Sequence, residues 1–118
     1  TIEETNKDFA ERVATLRGAF DIDRLKSEVE EAEAKTQRED FWNDAKAAEA
    51  FLKEVGEKKN RLAEYEKLQS ALDDFRVLME FFAEGEVGEE ELNENARMLG
   101  EMIENLELKN MLRLQEDK

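Results

Sequence analysis

From Phe51 to Phe82 the chain carries Phe51, Val55, Leu62, Tyr65, Leu68, Leu72, Phe75, Met79 and Phe82 at multiples of three and four residues, with no proline among them. Apolar residues at that spacing fall on one side of an α-helix, whereas a half-buried strand would alternate. The spacing therefore predicts one very long helix, from about residue 45 to 84. At ~1.5 Å per residue it would span about 60 Å. Gly56 is the one position in it where a bend or break could fall, because glycine costs about 1 kcal/mol relative to alanine inside a helix, and the spacing leaves continuity there open. Ala45, Ala47, Ala48 and Ala50 are strong helix formers at its start, and Asp44 suits the N-cap.

The remaining chain reads as three more helices. The first is expected over about 2–17, with Phe9, Val13, Leu16 and Phe20 on one face and Gly18 as its stop. The second, over about 21–37 and capped by Asp21, has the thin stripe Ile22, Leu25, Val29, Ala32. Between them and the long helix lies Arg38-Glu39-Asp40-Phe41-Trp42-Asn43-Asp44, where the pattern breaks and a structured loop is expected. Aromatics in such a loop can face a partner, but folding inward to plug the bundle end over Phe51 and Val55 is the expectation here. Gly85-Glu86-Val87-Gly88 reads as a turn. A fourth helix follows over about 89–114, with Leu92, Ala96, Leu99, Ile103 and Leu106, then Leu108, Met111, Leu112 and Leu114 on a shifted face.

A fold-back between residues 86 and 87 pairs positions whose numbers sum to about 173, so Phe82 meets Leu92, Phe75 meets Leu99 and Leu62 meets Met111. The long helix then overhangs its partner by its first turns. The first two helices are the only apolar faces left to cover Phe51 and Val55, and Val77 and Phe81, off the main stripe, are expected to meet one of them, with exposure as the alternative. The expected fold is all-α: one domain over 1–118, an elongated four-helix bundle built on a long antiparallel hairpin and thickened at the overhanging end.

Composition restricts the chemistry. The 118 residues contain no cysteine and no histidine, which removes thiol and imidazole nucleophiles, general-base histidine and the usual zinc ligands. The serines are Ser27 and Ser70. The 32 carboxylates occupy mostly solvent-facing helical positions without calcium-loop spacing. No catalytic residue, cofactor or metal site is expected. No stretch approaches the ~20 apolar residues of a membrane span, and the acidic opening TIEETNKDFAERV lacks the apolar core of a signal peptide. Absence of cysteine fits a reducing compartment, and a cytoplasmic protein with no membrane contact is expected.

Net charge is −14, which opposes grip on polyanions and predicts no independent nucleic-acid specificity. The acid excess is concentrated late: residues 84–118 hold eleven acids and four bases, residues 43–83 nine and seven. Glu84, Glu86, Glu89, Glu90, Glu91 and Glu94 around the turn are the candidate interface. The alternative is the one basic cluster, Lys53, Lys58, Lys59 and Arg61, which could touch phosphates. Its plainer reading is as partners of Glu54 and Glu57 in i, i+4 pairs. Met98, Met102 and Met111 could form an adaptable surface, but ordinary helix packing explains them.

Four segments carry a family resemblance: Leu16-Arg17-Gly18, Phe20-Asp21-Ile22-Asp23, Asp40-Phe41-Trp42-Asn43-Asp44, and Leu106-Glu107-Leu108-Lys109-Asn110-Met111-Leu112. In order and spacing along the chain they resemble the N-terminal helical domain of bacterial peptide chain release factor 2, and Asp40 to Asp44 is the most specific of them. Ala45 departs from the proline common there, harmlessly for a first helical turn. The family's Gly-Gly-Gln and Ser-Pro-Phe elements have no counterpart here, so its peptide-release chemistry transfers to no residue of this chain. The resemblance implies docking near the stalk base of the large ribosomal subunit while the remaining release-factor domains read UGA or UAA and release the peptide, and the charge of −14 favours a basic ribosomal protein there over rRNA as the partner. A free-standing acidic helical adaptor or coiled-coil spacer is the alternative from composition and periodicity alone.

Overall fold

The computed structural model describes residues 1–117. It contains α1 (Ile2–Ala19), α2 (Ile22–Thr36), a 3-10 turn at Glu39–Asn43, α3 (Ala45–Ala83) and α4 (Glu89–Glu116), with no strand among the described residues. The all-α expectation holds, and the molecule is elongated, 60 × 34 × 19 Å.

α3 is a single helix of 39 residues and passes through Gly56 without a break. Its start is set by Asp44, whose Oδ1 accepts the Ala47 N–H at 3.1 Å. Its end is a glycine cap: Gly85 has φ +78°, the Glu86 N–H reaches back to the Phe81 carbonyl at 2.9 Å and the Gly85 N–H to the Phe82 carbonyl at 3.0 Å. The chain reverses there, and Lys109 Nζ meets Glu64 at 2.9 Å in the expected hairpin register. That register supplies core only as far as Leu106. Met111 is 57% exposed, so the expected Leu62–Met111 core pair does not form.

The expected thickening at the overhanging end needs correction, because α1 lies along the hairpin itself. Phe9 packs edge-on against Phe75, with ring centroids 6.1 Å apart, and its ring also faces Gly100 of α4. Arg12 forks onto Glu107 at 2.5 and 3.1 Å, and the Arg17 guanidinium sits 5.9 Å from the Tyr65 ring centroid. α1 therefore runs antiparallel to α3, and Phe9, Val13 and Leu16 join Leu68, Leu72, Leu99 and Ile103 in the main core. Near its end Arg113 donates to the Ala19 carbonyl at 3.2 Å and lies 5.0 Å over the Phe20 ring.

Only Phe20 and Asp21 separate α1 from α2. So short a connection lets α2 continue in the same sense along α3, into the space that α4 has left. Glu28 meets Lys58 at 3.2 Å, Glu33 meets Lys59 at 2.7 Å, and Lys35 lies 5.3 Å over the Phe51 ring. α2 thus covers the overhang without α1, and Val29, Ala48 and Val55 are buried there, outside the main core cluster. Gly18 is not the stop of α1, which continues to Ala19; the left-handed residue of the turn is Asp21, at φ 49°. Asp21 makes no side-chain cap bond, contrary to expectation. Aspartate tolerates that conformation better than most residues, and the Arg17–Asp23 ion pair bridges the turn.

Candidate functional site

The acidic candidate residues form the hairpin tip. Between Arg76 and Arg97 the sequence holds seven acids and no base. The cap at Gly85 brings the end of α3 beside the start of α4, so Glu84, Glu86, Glu89, Glu90, Glu91 and Glu94 come together at one pole, all exposed. Glu89, Glu90 and Glu91 occupy the first turn of α4, where unpaired N–H groups stabilise negative charge. Glu94 differs from the rest. It is held at 2.6 Å by Arg97, which also reaches Glu101 at 2.5 Å, and hydrogen bonding to Arg97 keeps its carboxyl below the usual glutamate range. The same partners, Glu94 first, raise the Arg97 guanidinium. The other five candidate glutamates form no ion pair among the described residues, so the pole carries uncompensated negative charge.

The alternative basic cluster is divided. Lys58 and Lys59 point to α2 and pair with Glu28 and Glu33, and the local pairs with Glu54 and Glu57 do not form. For Lys58 the long-range partner wins over Glu54 because α2 lies directly against this stretch of α3. The Lys58 contact is the main reason the Glu28 carboxyl is lowered. Lys53 and Arg61 remain exposed and make no ion pair with the described residues.

Three apolar groups depart from expectation. Trp42 is 60% exposed, although burial was expected. Successive side chains of a 3-10 helix point about a third of a turn apart, so Phe41 and Trp42 cannot both face the bundle. Phe41 takes the inner place, edge-on to Phe51 at 5.6 Å, and Trp42 stands against Phe41 at 4.8 Å. Val77 and Phe81, expected to meet α1 or α2, are 46% and 45% exposed and are not among the residues packed on the core. They point away from the Leu72–Phe75 side of α3, α1 lies on another side, and α2 is at the opposite end. Met98 and Met111 are 51% and 57% exposed, so helix packing accounts for Met102, which is half-buried against the core, and not for the other two methionines of α4. The helical spacing already placed Val77 and Phe81 off the stripe; it did not show which sides of the hairpin α1 would leave open.

No group of three or more Asp, Glu, His or Cys suited to a metal ion occurs among the described residues. Among the described residues no helix is long and apolar enough to cross a membrane. The surface offers charge and shallow grooves between helices, which suit contact with another macromolecule.

The model of the PCRF domain matches residues 25–118. The chain belongs to the PCRF domain family. Its relatives include peptide chain release factor 2 of Aeromonas hydrophila subsp. hydrophila, 33% identical over 114 residues that cover 94% of this chain and 31% of that protein. Peptide chain release factor 2 of Nocardia farcinica is 32% identical over 124 residues, 98% of this chain and 33% of that protein. The same factor of Yersinia enterocolitica is 33% identical over 88 residues, 75% and 24%. The resemblance to the N-terminal helical domain of release factor 2 thus extends over nearly the whole chain. This PCRF domain spans about a third of the length of the first two relatives.

Proposed function

We propose that residues 1–118 form one non-catalytic docking domain of a class I release factor that terminates translation at UGA or UAA, and that its docking element is the acidic hairpin tip. The observation that supports this most directly is the uncompensated pole of Glu84, Glu86, Glu89, Glu90 and Glu91 on a chain with release factor 2 relatives. A surface of that sign is repelled by rRNA phosphate over about a Debye length and attracted by lysine- and arginine-rich protein. The partner is a basic ribosomal protein at the stalk base of the large subunit. Codon reading and peptide release belong to the remaining release-factor domains. Those domains supply most of the affinity, and this one adds through effective concentration.

The test is ribosome association, in the parent factor and in the isolated domain, with stalk-base protein present or stripped. Binding is expected to be weak for the isolated domain, salt-sensitive, dependent on the protein, and reduced when Glu89, Glu90 and Glu91 are all replaced by lysine. Unchanged binding to stripped particles, or tighter binding by the lysine variant, would move the interface to Lys53, Arg61 and rRNA.

A further inference from the structure

Two antiparallel helices offer a groove on each side of their contact line, and only one groove of the α3–α4 hairpin is filled. α1 occupies the side bearing Tyr65, Gly100 and Glu107. On the other side lies an open groove of about 370 Å³, lined in part by Lys67, Leu68, Met102, Asn105 and Leu106. Helical spacing extends this side toward the turn. From Lys67, successive steps of four, seven and four residues along α3 lead to Ala71, Leu78 and Phe82, and Met98 precedes Met102 by four along α4. Ala71, Leu78 and Met102 are half-buried, Phe82 is 36% exposed and Met98 51%. By that spacing they share one side of the hairpin as an apolar strip, whose two methionines adapt readily to a partner's shape.

We propose that this open groove binds a cationic amphipathic helix, laid along the hairpin as α1 is on the opposite side. α1 shows what such a groove accepts: Phe9, Val13 and Leu16 at four-three spacing enter it, and Arg12 on its edge is clamped by Glu107. Charge along the open groove fixes the sign and direction of the occupant. Toward the turn its edges carry Asp74 and Glu91, neither ion-paired among the described residues, and the five unpaired glutamates of the tip begin there. At the other end Lys67 makes no ion pair among the described residues and Glu64 is already engaged by Lys109. The basic end of the bound helix therefore lies near Gly85. This groove goes beyond the proposed ribosomal role and does not depend on it.

The four methionines make the test site-resolved. Met102 lines the groove and packs on the core beneath it, Met98 lies one turn nearer the hairpin tip on the same side of α4, Met79 packs against the core from α3, and Met111 lies beyond Leu106. The protein, carrying isotope-labelled methionine methyl groups, is titrated with a helical leucine–lysine peptide whose leucines repeat the α1 spacing and whose lysines cluster at one end. Shifts of Met98 and Met102 without shifts of Met79 and Met111 are expected. Binding should persist in weakened form at about 0.5 M salt, where surface charge is screened. Met98→Gln should weaken it about tenfold, the loss of one interface anchor, and should retain the helical circular dichroism because Met98 is exposed. Absence of shifts, equal shifts at all four methionines, complete loss of binding at high salt, or unchanged affinity of M98Q would each overturn the assignment. Concentration-dependent shifts of Met98 and Met102 without peptide would give the groove to a second copy and overturn it too. Ribosome association is read separately through the Glu89–Glu91 lysine variant, so either proposal can fail alone.

Discussion

Gly56 and Gly85 allow one substitution to be read with opposite signs. A Cβ built at either meets no atom within 4 Å, so alanine adds neither packing nor a clash at either site. They differ in backbone. Gly56 lies inside α3 with helical neighbours on both sides, whereas Gly85 holds φ +78° at the helix cap. Gly56→Ala should stabilise by about 0.5–1 kcal/mol, from reduced backbone freedom of the unfolded chain and better helix propensity. Gly85→Ala should destabilise by about 1–2 kcal/mol, the cost of a left-handed conformation for a residue with a Cβ. With an unfolding entropy of about 2.1 cal/mol/K per residue, 1 kcal/mol corresponds to roughly 4 °C in Tm for a chain of this length. Calorimetry should therefore show Gly56→Ala melting up to about 4 °C higher and Gly85→Ala about 4–8 °C lower. Amide exchange around residue 56 should slow in the first variant. A lower Tm for Gly56→Ala would refute the unbroken helix, and an unchanged or higher Tm for Gly85→Ala would refute the glycine-capped turn.

Ile103, 0% exposed at the centre of the main core, should cost about 2–5 kcal/mol on replacement by alanine, measured by urea unfolding; a loss below 1 kcal/mol would contradict its packing. Trp42 should emit near the wavelength of free tryptophan and be open to iodide, and Phe41→Ala should destabilise more than Trp42→Ala. The reverse order would place the indole inside. For Glu28, the folded-state carboxyl lies below the ordinary value of 4.5, so its contact with Lys58 contributes at pH above that value and is lost as pH falls through the lowered one. Protection of the α2 amides, relative to their intrinsic exchange at each pH, should fall on acidification below about pH 4.5 in the native chain. Glu28→Gln should remove part of that pH dependence, and an identical profile in the variant would assign the effect elsewhere.

Periodicity alone determined the helices, because each apolar stripe demands one buried face whatever covers it. Absence of proline allowed α3 its full length, and glycine at position 85 with glutamates at 89–91 placed the turn and the charge of the tip. The hairpin register was legible too, since an antiparallel pair leaves little freedom once its turn is located. Tertiary structure decided which helix covers which face. Phe9, Val13 and Leu16 could have packed at the overhang as well as on the hairpin; a two-residue link between α1 and α2 and the place where α4 leaves α3 settled it. It also decided the partner of Lys58, because an ion pair forms with whichever carboxylate the packing brings near, and α2 arrived closer than Glu54. Trp42 stayed outside for a geometric reason: two adjacent residues of a tight turn cannot point the same way, and Phe41 had Phe51 to meet. The open groove was invisible beforehand for the same kind of reason, since a stripe records that a face is apolar and does not record whether one neighbour or two will cover it.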